Sequence, residues 1–538
     1  MSNKYCILER VKRFKKLASA RYCINEDAVH LGHLALEGLR DNPNGICQID
    51  AATGQGESNG SVAKRSCSLA SAMAKAGLKP GDVVVVMGHN HLDLCIPYYA
   101  CQFGGFTMSA MDPTIGPKDL IDISRDIRPK MVFCQKSCVE KVENAYKANN
   151  LHGDIVTFDD PENDLKSYIE NHIGTHINYR PAEIDQANTA VWLMLTSGTT
   201  GLPKVAIIPY GTLLNALLSW WTPFPQHMES CLAMATLQWV SSLIYFIACV
   251  LKGITRIQSS EPLTPERLIK LIAQYRPTTT AFTPYLLEKF LDLAETRCDL
   301  SCFKIIAIGG SAMEKALFDR FRRACPAFLF LVYGMTELLA PIFDYDDDTP
   351  FGSTGKPLDK HEFKLADDEG RPLEEPNQTG ELYLRSNSFF KGYLNNEEET
   401  KKMITDDGWV KTGDMFYKDK DNFYYFVERK RLLIKHYGFL ISPLKMEEIL
   451  KSHPSVSDVC VVGIPDPSCM ERPVAAVLRR NGDKVDPQEL GDLLRANMEG
   501  KKLNGAIVFV DSLPVTPSGK IHRAKVRELA LAAPRVLF

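Results

Sequence analysis

The cysteines lack any regular spacing, and this absence narrows the class of protein. The fifteen cysteines of the 538-residue chain form no CxxC pair and no set with metal-ligand spacing. Free thiols in a reducing compartment are therefore favoured over a disulfide framework, and an intracellular protein is expected. The formal net charge is only −3, and no basic RNA-binding motif is present, so a nucleic-acid partner is not expected.

Recognisable targeting signals are also missing. The first residues contain no apolar segment suited to secretion, and the carboxyl end, Arg535 to Phe538, is not the SKL peroxisomal address. The first two dozen residues are instead basic, with Lys4, Arg10, Lys12, Arg13, Lys15, Lys16 and Arg21 against Glu9. A solvated leading segment is favoured over a mitochondrial presequence or a membrane-surface arm. Cytoplasmic or peroxisomal location is expected, with mitochondria as the alternative.

One uncharged stretch is long enough to cross a bilayer, from Cys231 to Leu251. Polar residues interrupt it, among them Thr236 and Gln238, and no second candidate span occurs. A buried helix with a preceding strand is therefore predicted, and no transmembrane span.

Alternating helices and strands predict an α/β fold with parallel sheets. Strands are predicted at 83–87, 131–133, 190–195, 279–282, 305–308 and 328–332, with helices at 61–76, 96–102 and 284–294. Turn-rich segments with alternating strands, such as 379–385, predict a β-rich subdomain at about 340–430. A new α+β pattern begins after Pro443, with helices at 444–452 and 487–498 and strands at 459–462, 474–478 and 507–510. We therefore predict a large domain over 1–430 and a small one over 431–538, joined near Arg431.

The segment from Leu195 to Lys204 carries the clearest chemical signal. It contains four hydroxyl groups, two glycines and a lysine: Thr196, Ser197, Thr199, Thr200, Gly198, Gly201 and Lys204. Glycines let the backbone pass close to a ligand, and converging N–H groups, hydroxyls and a lysine can hold phosphate oxygens. A phosphate-binding loop is favoured over an ordinary surface loop.

Two further strands end in turns that carry glycine and polar residues, Gly309-Gly310-Ser311 and Tyr333-Gly334-Met335-Thr336-Glu337. Because the carboxyl ends of parallel strands share one edge of a sheet, these turns predict a single site.

Five segments together resemble the motifs of the adenylate-forming superfamily: TSGTTGLPK at 196–204, YGMTE at 333–337, TGD at 412–414, ERKRLLIKHYG at 428–438 and PVTPSGK at 514–520. The chain is most similar to luciferase-related, insect-type acyl-CoA synthetases. The resemblance implies a two-step reaction that uses ATP and CoA. The carboxylate of a small-molecule acid forms an acyl-AMP with release of pyrophosphate, and CoA then displaces AMP.

The resemblance also implies roles for individual residues. The loop and Lys204 hold the β- and γ-phosphates, Glu337 binds Mg²⁺, and Thr336 contacts a phosphate. Further members bind the nucleoside: Gly309, Gly310, Ser311 and Tyr333 to Met335 around the adenine, with Asp414 and Arg429 at the ribose. Lys520 acts in the first step; a mobile small domain then turns near Arg431 and brings Lys435 and the Gly438 loop to the site.

Two positions depart from the pattern of relatives. Val205 stands where relatives typically carry glycine, which would weaken ATP handling unless the backbone there is extended, as the following strand suggests. Trp239 lies where relatives often have histidine or an aromatic residue followed by glycine; it either belongs to the core or shapes the acid pocket. With Met335, Leu338 and Leu339, it favours an apolar acid.

The leading hypothesis is a ligase for a medium- or long-chain fatty acid. An aryl-acid (4-coumarate-like) ligase, a luciferase-like enzyme and a weakly active acyl or nucleotide binder are the alternatives. A Walker-type NTPase is disfavoured because the first motif lacks GxxxxGK[ST].

Overall fold

The computed structural model describes residues 7–196, 204–221, 228–295, 297–480, 483–498, 503–515 and 520–538. The helices are α1 (Ile7–Tyr22), α2 (Leu31–Asp41), α3 (Asn59–Lys75), α4 (Cys95–Gly104), α5 (Pro117–Ile127), α6 (Val139–Ala148), α7 (Leu165–Asn171), α8 (Tyr210–Trp221), α9 (Val240–Lys252), α10 (Pro265–Tyr275), α11 (Pro284–Ala294), α12 (Lys315–Ala324), α13 (Glu397–Met403), α14 (Pro443–Lys451), α15 (Pro487–Asn497) and α16 (Arg523–Ala532).

Two largely parallel sheets carry the first part of the chain. One has the order β6-β5-β3-β4-β7-β8 and the other β13-β12-β11-β9-β10-β1-β2. Their strands are β1 (Ile46–Asp50), β2 (Gln55–Ser58), β3 (Val83–Met87), β4 (Thr107–Met111), β5 (Met131–Cys134), β6 (Asp154–Thr157), β7 (Ala190–Thr196), β8 (Lys204–Pro209), β9 (Ser230–Leu232), β10 (Thr255–Gln258), β11 (Thr279–Phe282), β12 (Ile305–Gly309) and β13 (Phe328–Val332). Only the β7–β8 and β1–β2 pairs of these two sheets are antiparallel among the described residues. The predicted α/β fold is confirmed.

Two further sheets follow. An antiparallel sheet has the order β14-β15-β19-β18-β17-β16, from β14 (Phe343–Asp344), β15 (Ser353–Pro357), β16 (Glu362–Ala366), β17 (Gly380–Arg385), β18 (Val410–Lys418) and β19 (Tyr424–Arg429). The last sheet is mixed, with the order β21-β20-β23-β24-β25 and β22 paired to β23. Its strands are β20 (Ile434–His436), β21 (Phe439–Ile441), β22 (Val456–Asp466), β23 (Met470–Arg479), β24 (Ala506–Val510) and β25 (Val536–Leu537).

The largest hydrophobic cluster joins the two parallel sheets through α1 to α4, α8 and α9. Buried polar groups in it are satisfied by backbone: the Tyr98 hydroxyl donates to the Leu243 carbonyl at 2.7 Å, and the Tyr99 hydroxyl donates to the Phe246 carbonyl at 2.6 Å. The uncharged stretch of the sequence forms β9 and the buried helix α9, as predicted. No helix among the described residues is long and apolar enough to cross a membrane.

The basic leading segment differs from its prediction. Residues 7–22 form α1, whose side chains Ile7, Val11, Phe14, Ala18 and Tyr22 are buried in the main cluster. The expectation of a merely solvated segment is therefore wrong for these residues. Their spacing of three and four is that of an amphipathic helix. Lys12, Arg13, Lys16 and Arg21 are exposed, whereas Arg10 is largely buried and its Nε donates to the Leu251 carbonyl at 2.6 Å.

Candidate active site

The predicted phosphate loop connects β7 to β8. Thr196, buried at the end of β7, pairs across this hairpin with Lys204 at the start of β8. Ser197, Gly198, Thr199, Thr200 and Gly201 lie outside the described residues. Lys204 Nζ forms an ion pair with Glu399 on α13 and lies 4.9 Å from the centre of the Tyr393 ring.

Val205 has the extended conformation that the sequence favoured. It lies in β8 opposite Leu195, is 5% exposed, and packs in the hydrophobic cluster of the first sheet. The backbone conformation at this position therefore does not require glycine.

The other two strand-end turns lie side by side, because β12 and β13 are parallel neighbours. Gly309 ends β12 so close to β13 that a Cβ there would lie 2.9 Å from the Val332 carbonyl oxygen. Gly310 follows with φ +96°, a backbone angle that favours glycine, and Ser311 is exposed. A Cβ on Gly310 would lie 3.8 Å from Lys520 Cε, so Lys520 reaches this turn from the carboxyl-terminal sheet region.

Tyr333 connects β13 to the antiparallel sheet. Its hydroxyl donates to Asp414 Oδ2 at 2.6 Å, and Arg429 Nε lies 3.4 Å from Asp414 Oδ1. Asp414 and Arg429 are cross-strand partners on β18 and β19. Asp414 Oδ1 is buried yet accepts no hydrogen bond within the described part of the chain, so a ligand hydroxyl would satisfy it.

Burial is the largest cause of the pKa shifts in the cluster formed by Tyr333, Asp414, Arg429, Arg431 and Lys520. It raises the pKa of the Asp414 carboxyl, against the opposing effects of Arg429 and of the Tyr333 hydroxyl. It lowers the pKa of Lys520, and the nearby Arg429 charge lowers it further. Arg431 is also affected, since burial followed by Arg429 lowers its pKa to about 10. The cluster thus has an excess of positive charge suited to an anionic ligand.

The second end of the site is built on Glu337. Gly334 and Met335 follow Tyr333, and Thr336 and Glu337 begin a 3₁₀ turn over Thr336–Leu338. Glu337 is 6% exposed, and its Oε1 accepts a hydrogen bond from the Tyr393 hydroxyl at 2.6 Å. No group of three or more His, Cys, Asp or Glu in the described ranges could hold a metal alone. A single carboxylate suits Mg²⁺, which commonly binds one or two carboxylates together with substrate phosphates.

Lys435 lies apart from the other predicted site residues that the structure describes. It is exposed on β20, and its backbone N–H donates to Glu471 Oε2 at 2.8 Å. Lys520, not Lys435, lies at the Gly310 turn.

Three of the four apolar residues that favoured an apolar acid, Trp239, Leu338 and Leu339, have different environments. Leu338 and Leu339 are 1% and 2% exposed in hydrophobic clusters, so packing explains them. Trp239 precedes α9 and is 40% exposed, so of its two alternatives the core is excluded.

Tyr393 and Glu399 were missed by the sequence analysis. Both contact predicted site residues, Tyr393 through Glu337 and Lys204, and Glu399 through Lys204. Their sequence context, KGYLNNEEET, has a tyrosine typical of cores and acidic residues typical of a helix start, so nothing in it indicated a site.

Comparisons with known proteins agree with this geometry. Residues 39–394 match the model of the AMP-binding enzyme family, and residues 445–520 match that of the AMP-binding enzyme C-terminal domain. The chain belongs to the AMP-binding enzyme family. This confirms the adenylate-forming superfamily predicted from the motifs, and it supports AMP-forming acid–CoA ligase chemistry.

Similar proteins include both ligases and luciferases. The 4-coumarate–CoA ligase 5 of Oryza sativa subsp. japonica is 30% identical over 94% of this chain and 96% of its own length. Luciferin 4-monooxygenase of Photuris pensylvanica is 29% identical over 87% of this chain and 88% of its own. The ATP-bound MatB structure from Rhodopseudomonas palustris has a TM-score of 0.83 at 21% identity and covers 93% of this chain and 99% of that one, which shows a shared fold.

Proposed function

We propose that this protein is an AMP-forming ligase that joins a medium- or long-chain fatty acid to CoA. The acid carboxylate attacks the α-phosphate of ATP, giving acyl-AMP and pyrophosphate; the CoA thiol, losing its proton, then attacks the acyl carbon and releases AMP. The observation that carries the proposal is the convergence of Lys520, Arg429, Asp414 and Tyr333 at the Gly310 turn.

The nucleoside end of the cluster fits a ribose and an adenine. Asp414 Oδ1 is a buried acceptor with no hydrogen bond from the described residues, and a ribose hydroxyl is a donor that would satisfy it. Arg429, whose side chain is 44% exposed, can contact the same sugar from the other side. The turn Gly309-Gly310-Ser311 and Tyr333 follow the paired ends of β12 and β13, where a planar base would bind.

The reacting end needs positive charge and orientation more than covalent chemistry. Lys520 has an ammonium group at the site and can bridge the acid carboxylate and the α-phosphate, holding them in line. Lys204 and the loop before it hold the β- and γ-phosphates. Glu337 would hold Mg²⁺, which would offset phosphate charge, and Thr336 would donate to a phosphate oxygen. In the second step Lys435 replaces Lys520 at the site.

One observation supports each candidate for the acid. The exposed indole of Trp239 at the start of α9 supports an apolar acid chain. An aryl acid is the second candidate, favoured by the 30% identity to a 4-coumarate–CoA ligase over nearly the whole chain.

Pyrophosphate release across a panel of acids tests the proposal. Saturated fatty acids of increasing length, 4-coumarate, benzoate and a luciferin are each supplied with Mg-ATP, with and without CoA. Release with fatty acids, and thioester only when CoA is added, is the expected result. Preference for 4-coumarate would replace the fatty acid by an aryl acid. Binding of ATP without pyrophosphate from any acid would contradict ligase activity and indicate a nucleotide binder.

A further inference from the structure

The side chain of Tyr393 lies between the two groups that the proposed function assigns to the phosphates. Its hydroxyl donates to Glu337 Oε1 at 2.6 Å, and the face of its ring lies 4.9 Å from Lys204 Nζ. At 6% exposure it is held in place, with its ring packed edge-on against Phe390 at 5.0 Å between centres.

Backbone contacts fix Tyr393 to the strand that carries Lys204. The Leu394 N–H donates to the Val205 carbonyl at 2.8 Å, and the Ile207 N–H donates to the Gly392 carbonyl at 2.9 Å. The Phe390 N–H donates to the backbone carbonyl of Glu337 at 2.9 Å. The segment 390–394 is therefore bonded both to β8 and to the turn that holds Glu337.

The hydrogen bond between Tyr393 and Glu337 has one direction, because an ionised carboxylate only accepts and the phenol hydroxyl donates. With Oε1 engaged, Glu337 Oε2 accepts no hydrogen bond from the residues that the structure describes. A carboxylate oriented in this way has one oxygen fixed and the other available to a cation.

Lys204 has a counter-ion at the same place. Glu399 pairs with Lys204 and, through Oε1, with Lys402 at 2.8 Å. Lys204 and then Lys402 lower the pKa of Glu399 to about 2, so the carboxylate is charged at any physiological pH. A polyphosphate that binds Lys204 must compete with this carboxylate.

We infer that Tyr393 is a positioning residue that holds the metal-binding carboxylate Glu337 and the phosphate lysine Lys204 in one arrangement, with Glu399 as the counter-ion that the β- and γ-phosphates displace. The inference rests on the proposed roles of Glu337 and Lys204. It concerns the pyrophosphate end of the nucleotide alone, because the described contacts of Tyr393 and Glu399 do not include Asp414 or Arg429.

Direct binding measurements separate the two ends of the nucleotide and need no turnover. Tyr393→Phe retains the ring but removes the hydroxyl, so Mg-ATP binding should require about ten-fold more Mg²⁺, in line with other groups that orient metal ligands. AMP, which lacks the β- and γ-phosphates, should bind as it does to the wild type. Tyr393→Leu also removes the ring and should weaken Mg-ATP binding even when Mg²⁺ is saturating.

Glu399→Gln should act in the opposite direction. Without the competing carboxylate, pyrophosphate and ATP should bind about two- to five-fold more tightly, as expected for a partly exposed ion pair, and AMP binding should not change. Tyr425→Phe is the matched control, because it removes a phenol–carboxylate hydrogen bond, to Asp419 at 3.0 Å, outside this network.

An unchanged Mg²⁺ requirement in Tyr393→Phe would overturn the inference, as would an equal loss of AMP and ATP affinity. Thermal unfolding of each variant separates these results from loss of the fold. If the variants differ from the wild type in binding as expected but the wild type turns over no acid, the proposed function is contradicted and the role of Tyr393 is supported. If the wild type turns over an acid but Tyr393→Phe has the same Mg²⁺ requirement, the proposed function is supported and the role of Tyr393 is contradicted.

Discussion

Asp414 combines burial, charge and an unsatisfied acceptor in one side chain. It is 3% exposed, receives the Tyr333 hydroxyl at Oδ2, and has no hydrogen bond to Oδ1 within the described residues. Burial raises the pKa of this carboxyl, whereas Arg429 and the Tyr333 hydroxyl lower it. If the ionised form accepts the ribose hydroxyls, nucleotide affinity is present above this pKa and is lost as the pH falls through it.

Tyr333→Phe should therefore move the acidic limit of AMP binding to higher pH. The variant keeps the ring but removes a hydrogen bond that stabilises the ionised carboxylate, so Asp414 takes up a proton sooner on acidification. AMP dissociation constants measured as a function of pH check this.

Asp414→Asn is the control for this titration. It should weaken AMP binding about ten- to one-hundred-fold at pH values where Asp414 is ionised, and its affinity should show no acidic limit, because it replaces a titrating acceptor by a neutral one. A Tyr333→Phe profile that coincides with the wild-type profile, or shifts to lower pH, would contradict the role of the carboxylate.

Sequence motifs predicted residues that the structure brings together, but not the residues that support them. Gly310, Tyr333, Asp414, Arg429 and Lys520 were all named from motifs, and the structure brings them together. Tyr393 contacts the site only because segment 390–394 pairs with β8, more than 180 residues away in sequence. Such a long-range pairing leaves no local pattern, which is why the tyrosine could be recognised only in the folded chain.

At the scale of elements, the extended backbone of β8 explains how valine is accommodated at position 205. The strand pairs Val205 with Leu195 and receives the Leu394 N–H at the Val205 carbonyl. An extended backbone accommodates a β-branched side chain without strain, and the side chain is buried. The valine therefore contributes to packing at a position where relatives typically use glycine.

Val205→Gly should destabilise the protein by about 2–3 kcal/mol and leave ATP affinity unchanged. The loss has two sources, the buried side chain and the greater backbone entropy of glycine in the unfolded chain. Denaturant unfolding measures it, and Val205→Ala, which mainly loses packing, should be affected less. Tighter ATP binding by Val205→Gly, without a loss of stability, would show instead that the valine impairs the site.

Helices and strands with strong periodicity were predictable, whereas α1 was not recognised. The strands at 83–87 and 328–332 and the helix at 284–294 have the predicted bounds. For α1 the interpretation rested on the charged residues. The apolar residues between them are buried only because they pack against α2, α8 and α9. A short amphipathic segment becomes a helix through such packing, which the local sequence does not contain.

At the scale of the whole molecule, the structure has the arrangement expected for the first step, with Lys520 at the Gly310 turn and Lys435 exposed. The order of the motifs predicted both lysines, but no sequence pattern specifies which one occupies the site. In this arrangement α14 contacts the first part of the chain. Lys451, the last residue of α14, forms an ion pair with Glu314 at 2.8 Å and with Asp458 at 2.9 Å.

Lys451→Ala should slow acyl-AMP formation about two- to five-fold and spare thioester formation from supplied acyl-AMP. Glu314 lies three residues beyond the Gly310 turn, so its ion pair with Lys451 stabilises the orientation that places Lys520 there. The side chains of Lys451 and Glu314 are 30% and 51% exposed, and such pairs contribute about 0.2–1 kcal/mol. The predicted rotation toward Lys435 breaks this pair, so its loss should favour the second step or leave it unchanged.

Separate assays of the two half-reactions measure this effect, with two variants for comparison. Lys520→Ala should abolish most of the first step and spare the second, which defines the extreme case. Asp458→Asn removes the partner of Lys451 on β22, leaves Glu314 in place, and should change neither step. Since exposed charges are screened by salt, the difference between Lys451→Ala and the wild type should shrink as ionic strength rises. An equal loss in both half-reactions would assign Lys451 to the stability of the carboxyl-terminal sheet region rather than to its orientation.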